Sequence, residues 1–565
     1  MLSFIRSKMS ASLPLLAFAT VLTTVLLGFS PGASAYAAAS TSAHATTGVL
    51  TRAGTVDPTH PSAPGKGIVP QPSGAKDARF DHGVDGPSSA TGKAPLAAAT
   101  PLDDHDNRRL LENFNGVSSL DSAVTNFGAE FEPPDQGLCE GNGFVVEPVN
   151  SAFTIYRTNG KVVAGPFNVN VLFDEGLTEF TSDPRCYFDP ATHTWFAIIL
   201  FINDTNTAAR TDIAVNTSGN PTTPWTVFHL DATDDGTNGT PSHPGCPCLG
   251  DQPLLGIDSA NLYISTNEFS ILGPQFNGAQ IYAISKDDLI DGAKSVHFVH
   301  FDNLSIGGAI ATSVQPAINT GRHDGDAAEY FLNSLDPNGT TDNRIGVWAL
   351  TNQRAVEHGK IPTLSSLVLT SETYGVPPGA IQKGASSLLD TGDDRMQQVQ
   401  FINGELWGAL DTVIQLPHDP TPRSGIAWFE VQPHLKGQTI GSAHIRGQGY
   451  LAVAGNYLLY PAIQASPEGT VAIVFTFSGA NHFASAAYAF RSDDDHAFGP
   501  IKIAAAGTGP YSPSSTRWGD YSWATLDQSG RSFWLATEYI PPLASQTPDG
   551  LQNWGTRVLE VSAED

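Results

Sequence analysis

From about residue 131 to the end, short apolar and aromatic runs alternate with clusters of Gly, Asn, Asp and Pro. Typical runs are Trp195-Phe196-Ala197-Ile198-Ile199-Leu200, Leu262-Tyr263-Ile264-Ser265-Thr266, Leu406-Trp407-Gly408-Ala409-Leu410 and Val471 to Phe475. Each is five or six residues long, rich in β-branched and aromatic types, and none is part of a sustained helical period. Runs of that length bounded by turn residues predict an all-β chain of hairpins.

The hairpins share a form. Each begins on polar residues, turns on Asp, Asn or Gly, and resumes as an aromatic-rich strand. Starts fall near 135, 183, 251, 315, 394, 460 and 520. A hairpin cannot bury both faces alone, so such units must stack. Radial stacking gives a single β-propeller, which leaves only short, protected edges. Seven starts predict seven blades, with six as the alternative, and 114–131 is expected to hold the closing strand. Two or three β-sandwiches would leave the shared polar start without a reason.

The N-terminal part reads differently. Arg6 and Lys8 precede an apolar stretch from Leu13 to Phe29, and Ala33-Ser34-Ala35 follows the breaker Ser30-Pro31-Gly32. That order predicts a secretory signal over 1–35, a retained membrane anchor being the other reading. Residues 36–105, rich in Ala, Thr, Ser, Pro and Gly, show neither period and predict a disordered linker, or a propeptide removed with the signal. The domain itself is expected over 106–565.

Charge narrows the choice of partner. Among 565 residues only 15% are charged, against about 25% in ordinary globular chains, and the net charge is −27. This acidic, exported chain is a poor match for nucleic acid or, once the signal is gone, for a membrane surface. A monomer secreted to the outside, taking a glycan or another extracellular ligand, is the expectation. Its four cysteines, Cys139, Cys186, Cys246 and Cys248, favour disulfides over a four-thiolate zinc site. Cys246-Pro247-Cys248 looks too tight to bridge itself, so each is expected to pair elsewhere.

Aligned on their hairpins, residues 131–565 resemble the secreted sialidase-like propeller proteins of bacteria, most of them uncharacterised. The resemblance rests on Pro133-Pro134-Asp135, Ser182-Asp183-Pro184-Arg185, Gly250-Asp251-Gln252-Pro253, Asp393-Asp394-Arg395, Tyr460-Pro461-Ala462 and Arg517-Trp518-Gly519-Asp520-Tyr521. The turns are similar to the Asp-boxes of that superfamily. Asp527-Gln528-Ser529-Gly530 comes nearest, although no turn matches in full. An Asp-box stabilises a turn, so it speaks for fold and not for activity.

In a propeller the polar starts of the first strands meet at one mouth of the central funnel. This gathers Asp183, Arg185, Asp251, Gln252, Gln315, Arg395, Arg517, Asp520 and Tyr521 on one rim, a candidate binding site. The resemblance implies that Arg185, Arg395 and Arg517 clamp a carboxylate. It further implies Tyr521 or Tyr460 as nucleophile and Asp183 or Asp251 as acid. The chain departs from that pattern, since the Arg-Ile-Pro motif is missing and no glutamate is plainly paired with a rim tyrosine. A glycosidase working through two carboxylates drawn from Asp183, Asp251 and Asp520 is the other catalytic reading. A surface or matrix interaction module, with the linker as stalk, is a third. The bland reading of any one rim residue is an inter-blade ion pair or a turn cap. No cofactor is implied beyond calcium, for which Asp231, Asp234 and Asp235, and the run Asp493-Asp494-Asp495, are acidic loops without EF-hand spacing.

Overall fold

A strand that is apolar at every position needs cover on both faces. All nine residues of the strand Thr194–Ile202 are buried, and so are all nine of Val471–Gly479. The cover comes from neighbouring sheets. A computed structural model of the chain describes residues 43–59, 94–103, 109–128, 131–319, 328–335, 341–511, 517–546 and 553–564. Among them stand seven four-stranded antiparallel meanders, spanning 139–167, 180–231, 248–302, 315–374, 399–451, 456–505 and 523–562, the last completed by Leu110–Ser118.

The seven innermost strands form a ring, each lying against the next and the seventh against the first. Between the third, fourth and fifth blades these inner strands also pair in parallel, as Ile257↔Ile318 and Ala317↔Val399. Clusters such as Phe153, Phe188 and Trp195, or Tyr263, Phe331 and Trp348, fill the gaps between blades. The expected single propeller with seven blades is the architecture observed. Every hairpin start read from the sequence falls within an innermost strand or a few residues before one. Closure falls to Leu110–Ser118, which pairs antiparallel with Gly555–Ser562 and so joins the first and last parts of the propeller.

Two expectations need correction. Within 36–105, expected to be a disordered linker, His44–Val56 forms a strand. It pairs with the outer strand of the second blade through Thr51–Val56 and with that of the third through His44–Thr51. Further on, Leu96 and Leu102 bridge to Gln415 and Ile501 in the fifth and sixth blades. Composition missed this because the order comes from unpaired blade edges far along the chain, not from burial of the segment's own side chains. The remainder of 36–105, and the expected signal over 1–35, lie outside the described residues.

The second correction concerns the cysteines. Cys139 pairs with Cys186, tying the inner strands of the first two blades. Cys246 pairs with Cys248, contrary to the expectation that each would look elsewhere. The backbone brings their Cα atoms to 4.4 Å, the near limit of what a disulfide spans. All four thiols are therefore consumed, which fits an oxidising compartment and leaves nothing for a four-thiolate zinc site. Among the described residues no helix is long and apolar enough to cross a membrane.

Candidate functional site

The polar starts of three blades are beta-bulges. Ladder register breaks between Ser182 and Arg185, between Asp251 and Leu254, and between Leu459 and Ala462. At each break one residue takes a left-handed backbone and is followed by proline: Asp183 (φ 57°), Gln252 (φ 49°) and Tyr460 (φ 53°). Proline has no N–H for a ladder and sits in sheets chiefly at such breaks. Asp135 (φ 45°) and Asp520 (φ 103°) occupy the matching place in the first and seventh blades. Left-handed backbone on residues other than glycine is costly and clusters where function needs a side chain re-aimed.

These positions bring Asp135, Asp183, Asp251 and Asp520, from four blades, into one electrostatic cluster with Arg517. Asp135 and Asp183 form the deepest pair. Burial, then the charge of Asp520, raises both carboxyls. Asp135 accepts from Asn150 Nδ2 at 2.6 Å, while Asn150 Oδ1 receives the Asp183 N–H at 2.9 Å. Nearer the solvent, burial and the charge of Asp183 push Asp251 up to about 8, against the pull of Arg395. Asp251 is thus an acid that keeps its proton at neutral pH.

All three candidate arginines have partners within the protein. Arg395 makes a two-pronged pair with Asp393, at 2.7 Å on each prong, and also bonds Gln252. Burial would raise Asp393, but the charge and hydrogen bonds of Arg395 hold it below the usual range. Arg517 donates to Asp520 at 2.6 Å. Arg185 lies deepest, 1% exposed, with its guanidinium 3.8 Å above the Tyr521 ring and its Nε bonded to the Pro253 carbonyl. Three forks already engaged do not make a ready clamp for a substrate carboxylate.

The tyrosines are equally committed. The Tyr521 hydroxyl donates to the Pro184 carbonyl at 3.3 Å under Arg185, and burial pushes it well up. Tyr460, 2% exposed, stands in a slot between Gly392 and Gly519, its N–H capped by Asp411 and its hydroxyl without a hydrogen bond. Burial and the charge of Asp390 raise that hydroxyl too, the opposite of what a nucleophile requires. Buried glutamines tie inner strands of different blades together. Gln136 donates to the Tyr521 carbonyl at 2.8 Å, and Gln398 bonds the Ala524 N–H and carbonyl at 2.9 and 2.8 Å. Gln315 is buried in its inner strand and donates to the Pro316 carbonyl.

Two residues of this site, Asp135 and Asp393, were not among the candidates read from the sequence. The signal for Asp135 was present, because Pro134-Asp135-Gln136 opens a blade just as Asp183 and Asp520 do. Of the acidic loops, Asp235 caps Thr237 and Asp231 takes Asn238 Nδ2 at 2.9 Å, whereas Asp234 turns inward. Asp493, Asp494 and Asp495 are exposed. Asp527, in the Asp-box-like turn, accepts the backbone N–H groups of Ser529, Arg531 and Ser532 at 2.7–3.0 Å, a purely structural duty.

No family model matches the chain, and no curated protein matches it. Among solved structures it is similar to an α-L-arabinofuranosidase of Fusarium graminearum (10% identity, 80% of this chain and 98% of that one, TM-score 0.31). It is also similar to the sialidase of Trypanosoma rangeli (8% identity, 76% and 58%, TM-score 0.32) and to a Hadza microbial sialidase (9% identity, 74% and 73%, TM-score 0.35). At these scores the likeness carries no argument about ligand or chemistry, and the propeller is established by its own ring of strands.

Proposed function

We propose that the funnel mouth is a glycan-binding site of an extracellular protein. One observation carries this reading: ion pairs and an acid from separate blades stand together at partly exposed positions, namely Arg395 with Asp393, Arg517 with Asp520, and Asp251. Sugar hydroxyls donate and accept at fixed spacing, so neighbouring hydroxyls can bridge a carboxylate and a guanidinium held side by side. Because the guanidinium charges are already balanced, neutral sugars suit the site better than acidic ones. The two disulfides fit the extracellular placement.

A second reading, glycoside hydrolysis, is favoured by Asp251. A glycosidase pairs a carboxyl kept protonated at neutral pH with a second carboxyl. Asp251 would donate the proton to the leaving oxygen, and Asp520, held by Arg517, would stand as the second group. A sialidase-type reaction through a tyrosine is disfavoured by the committed state of Tyr460, Tyr521 and the three arginines.

Calorimetry of the mature protein against neutral and acidic oligosaccharides, beside a panel of fluorogenic glycosides, tests both readings. Binding of a neutral oligosaccharide, lost in Asp393→Ala, is expected. Turnover abolished by Asp251→Asn would establish the second reading. A protein that binds none of the sugars overturns both and leaves a surface interaction module as the remaining class.

A further inference from the structure

A second cluster of acids and imidazoles lies around the third blade, where Glu268 pairs with Gly250 in the ladder. The connection between the second and third blades folds into a small hairpin, in which the His243 N–H bonds the Asp234 carbonyl at 2.8 Å and the Gly236 N–H bonds the Pro241 carbonyl at 2.9 Å. Asp234 is left-handed (φ 48°), which turns its carboxylate under the hairpin instead of out to solvent. There it meets Glu268 from the second strand of the third blade. One carboxylate oxygen each from Asp234 and Glu268 and a ring nitrogen of His243 lie within 4.8 Å of one another.

Two features distinguish this cluster from the solvated acidic loops. Asp234 is 1% exposed, and neither of its oxygens receives a hydrogen bond, the His243 Nδ1 standing 3.7 Å away. The Tyr282 hydroxyl, also buried, is within reach of the Asp234 and Glu268 charges and is likewise without a hydrogen bond. A buried carboxylate with no donor is costly unless a cation or proton accompanies it.

We infer that Asp234, His243 and Glu268 bind a divalent first-row transition ion of the Zn2+ or Mn2+ kind. The donor set is one imidazole nitrogen with carboxylate oxygens, which suits such ions. Calcium prefers an all-oxygen shell, so it is the wrong ion for this site. On the far side of His243, Nε2 faces Asp302 at 3.4 Å, and Asp302 is in turn bonded by His44 at 3.0 Å. A carboxylate behind the metal-bound imidazole is the usual supporting arrangement. His44 belongs to the strand His44–Val56, so the ion would also hold the N-terminal segment against the third blade. The inference is independent of what the funnel binds.

The test uses mature protein stripped with a chelator and titrated separately with Zn2+, Mn2+, Co2+ and Ca2+. One equivalent of Zn2+ or Mn2+ should bind, and the melting temperature should rise with its concentration. Co2+ should show visible absorption with an imidazole ligand, a readout on the unaltered protein. Asp234→Asn and Glu268→Gln should each weaken Zn2+ binding at least tenfold while circular dichroism stays that of the native protein. Three results would overturn the inference: no stoichiometric ion, binding of Ca2+ without Zn2+ or Co2+, or Zn2+ affinity unchanged in both folded variants.

Discussion

Tyr460 and Gly519 come from adjacent blades and meet at the mouth of the funnel, so a single added methyl group probes how tightly the ring closes there. A Cβ on Gly519 would lie 2.0, 2.1 and 2.5 Å from three carbons of the Tyr460 ring, and the residue has φ +87°. Gly404, in the turn joining the first two strands of the fifth blade, has φ +81° and nothing within 4 Å of such a Cβ. Gly404→Ala therefore meets only the left-handed penalty, about 1–2 kcal/mol. Gly519→Ala adds overpacking of about 1–3 kcal/mol, for about 2–5 kcal/mol in all. With an unfolding entropy of about 2.1 cal/mol/K per residue over roughly 450 residues, 1 kcal/mol moves Tm by about 1 °C. Calorimetric melts should show a loss of about 1–2 °C for Gly404→Ala and about 2–5 °C for Gly519→Ala. Calorimetry should also find sugar binding weakened only in the second, since the Tyr460 ring must shift. Equal losses would mean that Tyr460 does not pack against Gly519, and the slot described for it would be wrong.

Other perturbations reach different parts of the reasoning. Glu147 is fully buried beside Thr556, Tyr156 and the Val117 N–H, and burial pushes it up to about 7 despite those hydrogen bonds. The folded state then binds more protons than the unfolded one between the ordinary glutamate value, about 4.3, and about 7. Stability should fall as pH rises through that window, and Glu147→Gln should flatten the fall; an unchanged slope in denaturant midpoints would refute the assignment. Breaking Cys139–Cys186, which closes 47 residues, should cost about 4 kcal/mol by loop entropy, whereas breaking Cys246–Cys248, which spans 2, should cost far less. Melts of the two double Cys→Ser variants would decide, and the reverse order would contradict the ring-tying role of the first. Asp393→Asn should release Arg395 and shift the preference of the funnel from neutral toward carboxylate-bearing sugars, measured as a ratio of affinities. If hydrolysis is found, its rate should decline as pH rises through about 8, where Asp251 gives up its proton.

The ring was legible because each blade repeats a local signal. Polar residues, then proline, then an aromatic run mark the inner strand of several blades, and the two-sided burial of Thr194–Ile202 is already visible as an unbroken apolar run. What could not be read was where the backbone would point each polar side chain. Asp183 and Arg185 are neighbours in one motif, yet the bulge places Asp183 against Asp135 of the preceding blade and Arg185 on Tyr521 of the seventh. Asp393 and Arg395, two residues apart, close on each other and change what the arginine can offer a ligand.

The same limit explains the acidic loop. Asp231, Asp234 and Asp235 form one cluster as a string of letters, and calcium is its natural reading. Two of them spend their oxygens on turn caps and a side-chain amide, as acidic residues in loops commonly do. The third is rotated inward by its left-handed backbone and finds ligands that are not nearby acids at all: a histidine nine residues later and a glutamate in another strand. Local density of charge reports a solvated loop. A metal site is reported by convergence of distant donors with an unmet charge among them, and that requires the ladder geometry of the third blade. The chemistry of the loop therefore moves from oxygen-loving calcium to an ion that accepts imidazole, although no residue of the original reading has changed identity.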